Sequence, residues 1–280
     1  MRFPLMLLAA TATSLAAFTA GAASAASVEV KDAVARVTVI PENRTDVKVE
    51  FISTNPKLPL KLRTFGGRTI VDGDLDRKIR DCHGTGDRVS VSVRGVGNVG
   101  WSEMPQIVIR TPRDVDVDAG GAIWGTVGRS ATLALGNAGC GDWMVGNVEG
   151  RMRLSQAGSG DTRAGSAGEA KVRVAGSGDT TISDVRGPVQ IDIAGSGDVN
   201  VASVSGPLEV HVAGSGDVRV AGGKATDFDV TVAGSGDVHF GGVAQNLKAR
   251  IMGSGDVRAR EVTGHVSKTI MGSGGVTVGN

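Results

Sequence analysis

From Val115 to the C-terminal Asn280, apolar and polar residues alternate in short runs. One run reads Val189, Ile191 and Ile193, with Gln190 and Asp192 between them; a Gly-Ser-Gly turn follows, and then Val199 and Val201 flank Asn200. The next reads Leu208, Val210 and Val212, then Val218 and Val220, and the one after it Phe228, Val230 and Val232, then Val238 and Phe240. The intervening side chains include Glu209, His211, Arg219, Asp229, Thr231 and His239. A period of two places the apolar set on one face and the polar set on the other, so each copy predicts two short strands. A third, shorter strand is expected around Val185, Val204 and Val243. The period excludes a helix.

These runs belong to an internal repeat. Gly-Ser-Gly-Asp begins at Gly158, Gly176, Gly195, Gly214, Gly234 and Gly253, with variants at Gly139 (Gly-Cys-Gly-Asp) and Gly272 (Gly-Ser-Gly-Gly). From Gly139 onward, successive starting positions differ by 19, 18, 19, 19, 20, 19 and 19, and a weaker copy places Gly120 one such interval before Gly139. A single copy cannot pair its backbone or bury its Val and Ile alone, whereas stacked copies can. The expected architecture is therefore all-β: a β-solenoid of about 19 residues per coil and about nine coils. Stacking at roughly 4.8 Å per rung would make a rod on the order of 40 Å long. At the corner, the repeated Gly allows a sharp turn through φ > 0 and leaves room for the rungs above and below.

Equal spacing lines residues up in columns. Asp142, Asp161, Asp179, Asp198, Asp217, Asp237 and Asp256 form one, read as turn capping by carboxylates that accept backbone amides. Its alternative is a calcium column, although the calcium-binding nonapeptide repeat has a period of nine and two ligand-bearing turns per ion. Two positions before the turn Gly, later rungs carry Val174, Ile193, Val212, Val232, Ile251 and Ile270, but earlier ones carry Asp118, Asn137 and Gln156. Those three either stack inward at one end of the core or are turned outward by a bulge, the reading preferred for a charged Asp. Trp124 and Trp143, one repeat interval apart, fall in the column later filled by Thr162, Thr180, Val199, Val218 and Val238. They are read as core filling rather than a sugar platform. Lys268 stands where other rungs hold Ile191, Val210 and Val230 and is expected to blunt that end.

Residues 26–114 are less regular but still alternate, as in Val28/Val30, Val37/Val39, Val47/Val49/Phe51, Val89/Val91/Val93 and Ile107/Ile109. Pro41-Glu42-Asn43, Asn55-Pro56 and Asp72-Gly73-Asp74 are turn signals. This region is expected to continue the solenoid, as irregular first coils or as a cap over an aggregation-prone edge, with the regular solenoid over residues 115–280.

Composition narrows the class. The chain has 43 Gly, no Tyr and 3% aromatic residues, so small β-branched side chains must fill a narrow core. Lys plus Arg number 30 against 29 Asp plus Glu, a balance that favours neither nucleic acid nor an anionic membrane surface. Residues 1–25 have the form of a signal peptide: Arg2, an apolar stretch over 5–20 and small residues at Ala23-Ser24-Ala25. The mature chain is expected to be exported, without a membrane span. An oxidising compartment favours a disulfide between Cys82 and Cys140, the two cysteines of the chain. Two free thiols, or a metal pair with His83, are the alternatives, and two Cys with one His do not complete a four-ligand zinc site.

The serial Gly-Ser-Gly-Asp turns followed by Val-x-Val, together with Pro105-Gln106-Ile107-Val108-Ile109-Arg110-Thr111-Pro112 leading into a Gly-rich turn, resemble the head GIN domain family, also called the putative auto-transporter adhesin family. The likeness covers residues 37–278. It implies an exported bacterial protein with a right-handed parallel β-helix, and it supplies no catalytic residues and no cofactor. No segment of residues 1–280 reads as the translocating barrel of an autotransporter. The function expected is a non-enzymatic structural or adhesin-like module of the cell envelope, in the periplasm or at the cell surface, binding an envelope protein or a glycan. The alternatives are a polysaccharide-active β-helix enzyme and a calcium-binding solenoid. An enzyme of that kind needs long loops around a groove and suitably spaced carboxylates, whereas these turns are short and uniform. His211 and His239 fall on different outer columns and are read as solvated surface residues.

Overall fold

The computed structural model describes residues 26–84 and 86–279. The expected signal segment, residues 1–25, lies outside the described residues. The repeat folds as a β-solenoid whose coils pair in parallel. Strand Val189–Ile193 lies between residues 170–174 and 208–212, and residues 199–201 lie between 180–182 and 218–220. The inward column Val172, Ile191, Val210, Val230 and Ala249 is buried. Each buried Val or Ile contributes about 1.5–3 kcal/mol of apolar transfer. Phe228 and Phe240, with ring centroids 5.2 Å apart, fill the core where the inward residues would otherwise be too small.

Close approach of the rungs explains the turn glycines. Gly176 O accepts the amides of both Ser196 (3.0 Å) and Gly197 (3.1 Å) in the next coil. A Cβ added to Gly195 would stand 2.3 Å from that same Gly176 oxygen, and one added to Gly197 would stand 2.3 Å from Gly178 O. Positive φ is reached at Gly272 (140°) but not at Gly195, so backbone crowding is the cause the corners share.

The early coils depart from the repeat interval seen in the sequence. Gly139 pairs with Gly121, not Gly120, and Leu133 pairs with Val115, so this coil is one residue shorter. In a strand, a shift of one residue exchanges the two faces. Trp143 therefore stacks on Gly125 and is buried in the solenoid core, whereas Trp124 points to the outer side. The shared Trp column is thus corrected. The polar column divides for the same reason. Asp118 pairs with Gly136 and is exposed, while Asn137 and Gln156 follow Ala119 and point inward, each 2% exposed. The outward bulge expected for all three holds for neither Asn137 nor Gln156. Their amides are satisfied inside: Asn137 Nδ2 donates to Gly141 O (2.9 Å), Gln156 Nε2 donates to Gly160 O, and Gln156 Oε1 accepts from Thr162 Oγ1 (3.2 Å).

At the N-terminal end, strands β1 (Ser27–Glu42), β2 (Lys48–Ser53), β3 (Lys61–Phe65) and β4 (Arg68–Asp72) are followed by a small sheet of β5 (Ile79–His83), β6 (Ser90–Val93) and β7 (Gly97–Gly100), then by β8 (Gln106–Pro112) and β9 (Asp114–Val127). β1 lies parallel to β9 along most of its length. β4 and β8 stack in parallel on the two halves of β1, and β3 and β2 close these two sheets in antiparallel sense. The small sheet packs on the outside of the first coils: Val89, Val91, Val93, Val99, Leu75 and Met104 form a second core against Val34, Ala122 and Trp124. At the other end, Lys268 pairs with Ala249 and its Nζ donates to Val276 O (2.8 Å), laying a charge across the last rung.

Candidate functional site

The junction between this small sheet and the solenoid forms a cleft of about 500 Å³. Its wall starts from register: Arg36 of β1 lies between Gln106 of β8 and Trp124 of β9, all three on the outer side of neighbouring strands. The short helical turn Trp101–Glu103 brings Trp101 over them and is held by the Gly100 amide, which donates to Glu103 Oε2 (2.9 Å). The Arg36 guanidinium lies 5.1 Å from the Trp101 ring centroid, a cation–π contact. The two indoles meet edge to face, with centroids 6.3 Å apart and planes at 80°. Met144, on the next coil, is 63% exposed and extends the apolar surface. Asp142, Asp161 and Arg163 supply a polar rim, with Arg163 Nη2 3.8 Å from Asp161 Oδ2.

Such a lining offers aromatic and thioether contact for an apolar face of a ligand and carboxylate and guanidinium groups for its hydroxyl or amide groups. Trp124 is buried, as its reading as core filling expects, but in the second core and at the edge of the cleft rather than inside the solenoid; the sequence does not single out Trp101, Arg36 or Met144. The available signal was scarcity: the chain has three Trp, and two of them line this cleft.

The Asp column runs from the rim of the cleft down the solenoid. Each carboxylate accepts the amide of its counterpart one coil later: Asp161 N donates to Asp142 Oδ1 (2.9 Å), Asp179 N to Asp161 (3.0 Å) and Asp198 N to Asp179 (2.9 Å). The ladder continues at 2.8 Å through Asp217, Asp237, Asp256 and finally the Gly275 amide. One oxygen of each Asp is thus committed to its neighbour's backbone. Among the described residues, no group of three or more His, Cys, Asp or Glu converges in a way that could hold a metal ion.

Cys82 of β5 and Cys140 of the first turn stand with Cα atoms 6.3 Å apart, their sulfurs joined as a disulfide that links the small sheet to the solenoid beside the cleft. His83 faces Asp81 at 3.0 Å. His211 lies 3.5 Å from Asp192, on the sheet before the turn, and His239 lines a polar groove with Asp217, Asp237 and Arg258 on the sheet after it. The two histidines are not brought together. No helix among the described residues is long and apolar enough to cross a membrane.

No curated relative matches the chain. Among solved structures, a putative lipid binding protein from Parabacteroides distasonis is similar at 18% identity and a TM-score of 0.53, over 91% of this chain and 93% of that one. A putative adhesin from Bacteroides fragilis is similar at 15% identity and a TM-score of 0.46, over the same shares of the two chains. At 18% identity, the likeness to the first of these concerns the fold alone. The sequence profile described as putative auto-transporter adhesin, head GIN domain, matches residues 89–223 and 189–280, well over half of the chain, and the protein therefore belongs to that family.

Proposed function

We propose that the protein is an exported, non-enzymatic, adhesin-like binding module of the bacterial cell envelope, and that it recognises a glycan at the Trp101–Trp124–Met144 cleft. The observation that carries this reading is the concentration of two of the three Trp, an exposed Met and an Asp/Arg rim along one cleft. A sugar ring presents one apolar face and a rim of hydroxyls, and this lining matches both. Family membership and the signal-peptide form of residues 1–25 support export and an adhesin-like role. The disulfide at Cys82 and Cys140 suits an oxidising compartment and fixes one wall of the cleft. The regular part serves as a spacer that presents the cleft.

The test is binding of the purified mature protein to a panel of envelope glycans, with Trp101→Ala in parallel and the glycans analysed afterwards for cleavage. Saturable binding that falls about 30-fold in Trp101→Ala, with the glycan intact, is expected. Binding indifferent to Trp101 would remove the cleft from the account. Cleaved glycan would make the protein an enzyme.

A further inference from the structure

On the sheet that precedes the turn, a face remote from the cleft lining, the outward side chains shrink and then become basic. Ala134 pairs with Arg153, and Gly136 with Ser155; in the next coil Arg153 pairs with Lys171, and Ser155 with Arg173. The result is a depression of about 200 Å³ whose floor is Ala134, Gly136 and Ser155 and whose rim carries Arg153, Lys171 and Arg173. Arg153 and Lys171 stand directly opposite each other on neighbouring strands. That arrangement opposes folding, because like charges at this spacing repel.

Elsewhere on the same face, several basic side chains have acidic partners, although Arg250, in the column of Arg173, has none within salt-bridge distance among the described residues. Arg151 Nε lies 3.2 Å from Glu169, and Lys248 Nζ 3.9 Å from Asp229. Arg173 is shared, 3.6 Å from Asp192 Oδ2. Neither Arg153 nor Lys171 has a carboxylate within salt-bridge distance among the described residues. Asp118 leans over the Gly136 end of the floor, where a Cβ on Gly136 would meet its Oδ1 at 2.5 Å, and its Oδ2 is held by Arg68 at 3.0 Å. Two stacked, unneutralised cations beside a third, over a floor too small to fill the space between them, leave room for an anion.

We propose that Arg153, Lys171 and Arg173 form a phosphate-binding site, with the Ser155 hydroxyl as a further donor. Two guanidinium groups and an ammonium match the multiple oxygens and the charge of a phosphate group better than those of a single carboxylate. The site stands independently of the cleft.

Thermal unfolding in potassium phosphate against potassium chloride at matched ionic strength tests it. The melting temperature should rise by about 3 °C once phosphate exceeds its dissociation constant tenfold. The variant Arg153→Gln/Lys171→Gln should lose this rise while melting at or above the wild-type temperature in chloride, since relief of repulsion separates a binding role from a structural one. Arg219→Gln/Arg258→Gln, on the other face, should keep the rise. Sedimentation with phosphatidylglycerol vesicles, but not phosphatidylcholine vesicles, would assign the phosphate to a lipid headgroup. A melting shift without sedimentation would assign it to a free or sugar-borne phosphate. A wild-type melting temperature that does not distinguish phosphate from chloride, or a rise that survives in Arg153→Gln/Lys171→Gln, would overturn the proposal.

Discussion

The coils from Gly158 onward and the junction of β1, β9 and the small sheet share the same parallel pairing but use their outward positions differently. In the regular coils, every conspicuous feature of the sequence serves the neighbouring rung. The turn glycines make room for a carbonyl, and each turn Asp accepts an amide from the next coil. At the junction, outward positions carry Arg36 and Trp124, the latter a residue type that no coil from Gly158 onward carries, and a second small core takes in Trp124. The most repeated motif in the chain is thus its scaffold, and the least repeated segment holds its candidate site.

This contrast has its largest expected effect at the disulfide, whose cysteines are 58 residues apart in sequence. Replacing both with Ser should lower the unfolding free energy by about 3 kcal/mol in a urea titration. Hydrogen exchange should accelerate in the small sheet while residues 189–257 stay protected. Equal acceleration in both would mean that the two regions open as one unit.

Next comes the turn. Gly197→Ala would drive a Cβ to 2.3 Å from Gly178 O and 3.0 Å from Val174 Cγ1, which should cost about 2–3 kcal/mol. Gly222→Ala, whose Cβ would meet nothing closer than 3.9 Å, should change stability by less than about 0.5 kcal/mol. Equal losses would show that the corner glycines answer to something other than crowding.

The inward polar residues give a smaller effect. Gln156→Val should cost about 1–2 kcal/mol by stranding Thr162 Oγ1. Adding Thr162→Val should recover most of that loss, because the pair then matches the Val212/Val218 arrangement of a later coil. A double variant as unstable as the single one would contradict the hydrogen-bond explanation.

Acid should act locally and least. The Asp74 amide, with Lys31 and Arg63, holds the Asp72 carboxyl below its ordinary pKa. A depressed carboxyl contributes its stabilisation fully above about pH 4 and loses it as the pH falls through the folded value. Asp72→Asn should remove that part of the acid dependence, read from melting temperatures between neutral and acidic buffers.

The regular coils were largely legible in the sequence. Val210 and Ile191 alternate with polar neighbours, and the Gly-Ser-Gly-Asp spacing fixes which residues share a column. Legibility failed where one coil dropped a residue. The shortened coil that pairs Leu133 with Val115 exchanges the two faces of the strand, which put Trp124 outside and Trp143 inside although the two stand at the usual repeat interval. The cleft was illegible for a different reason. Arg36, Trp101 and Met144 are far apart in the chain, and they meet only because β1 lies on β9 while the small sheet folds back over both. Alternation within a strand carries no information about that docking.

The division between scaffold and site is best tested by comparing two variants on one ligand. Affinity for the glycan selected from the panel is measured for Trp101→Ala and for Asp198→Asn/Asp217→Asn, each in calcium and in chelator. The division predicts a loss of about 30-fold for Trp101→Ala and an unchanged affinity for the Asp variant, with calcium immaterial to both. Affinity that depends on calcium and falls in the Asp variant, with Trp101→Ala unaffected, would place recognition on the repeated column and contradict it.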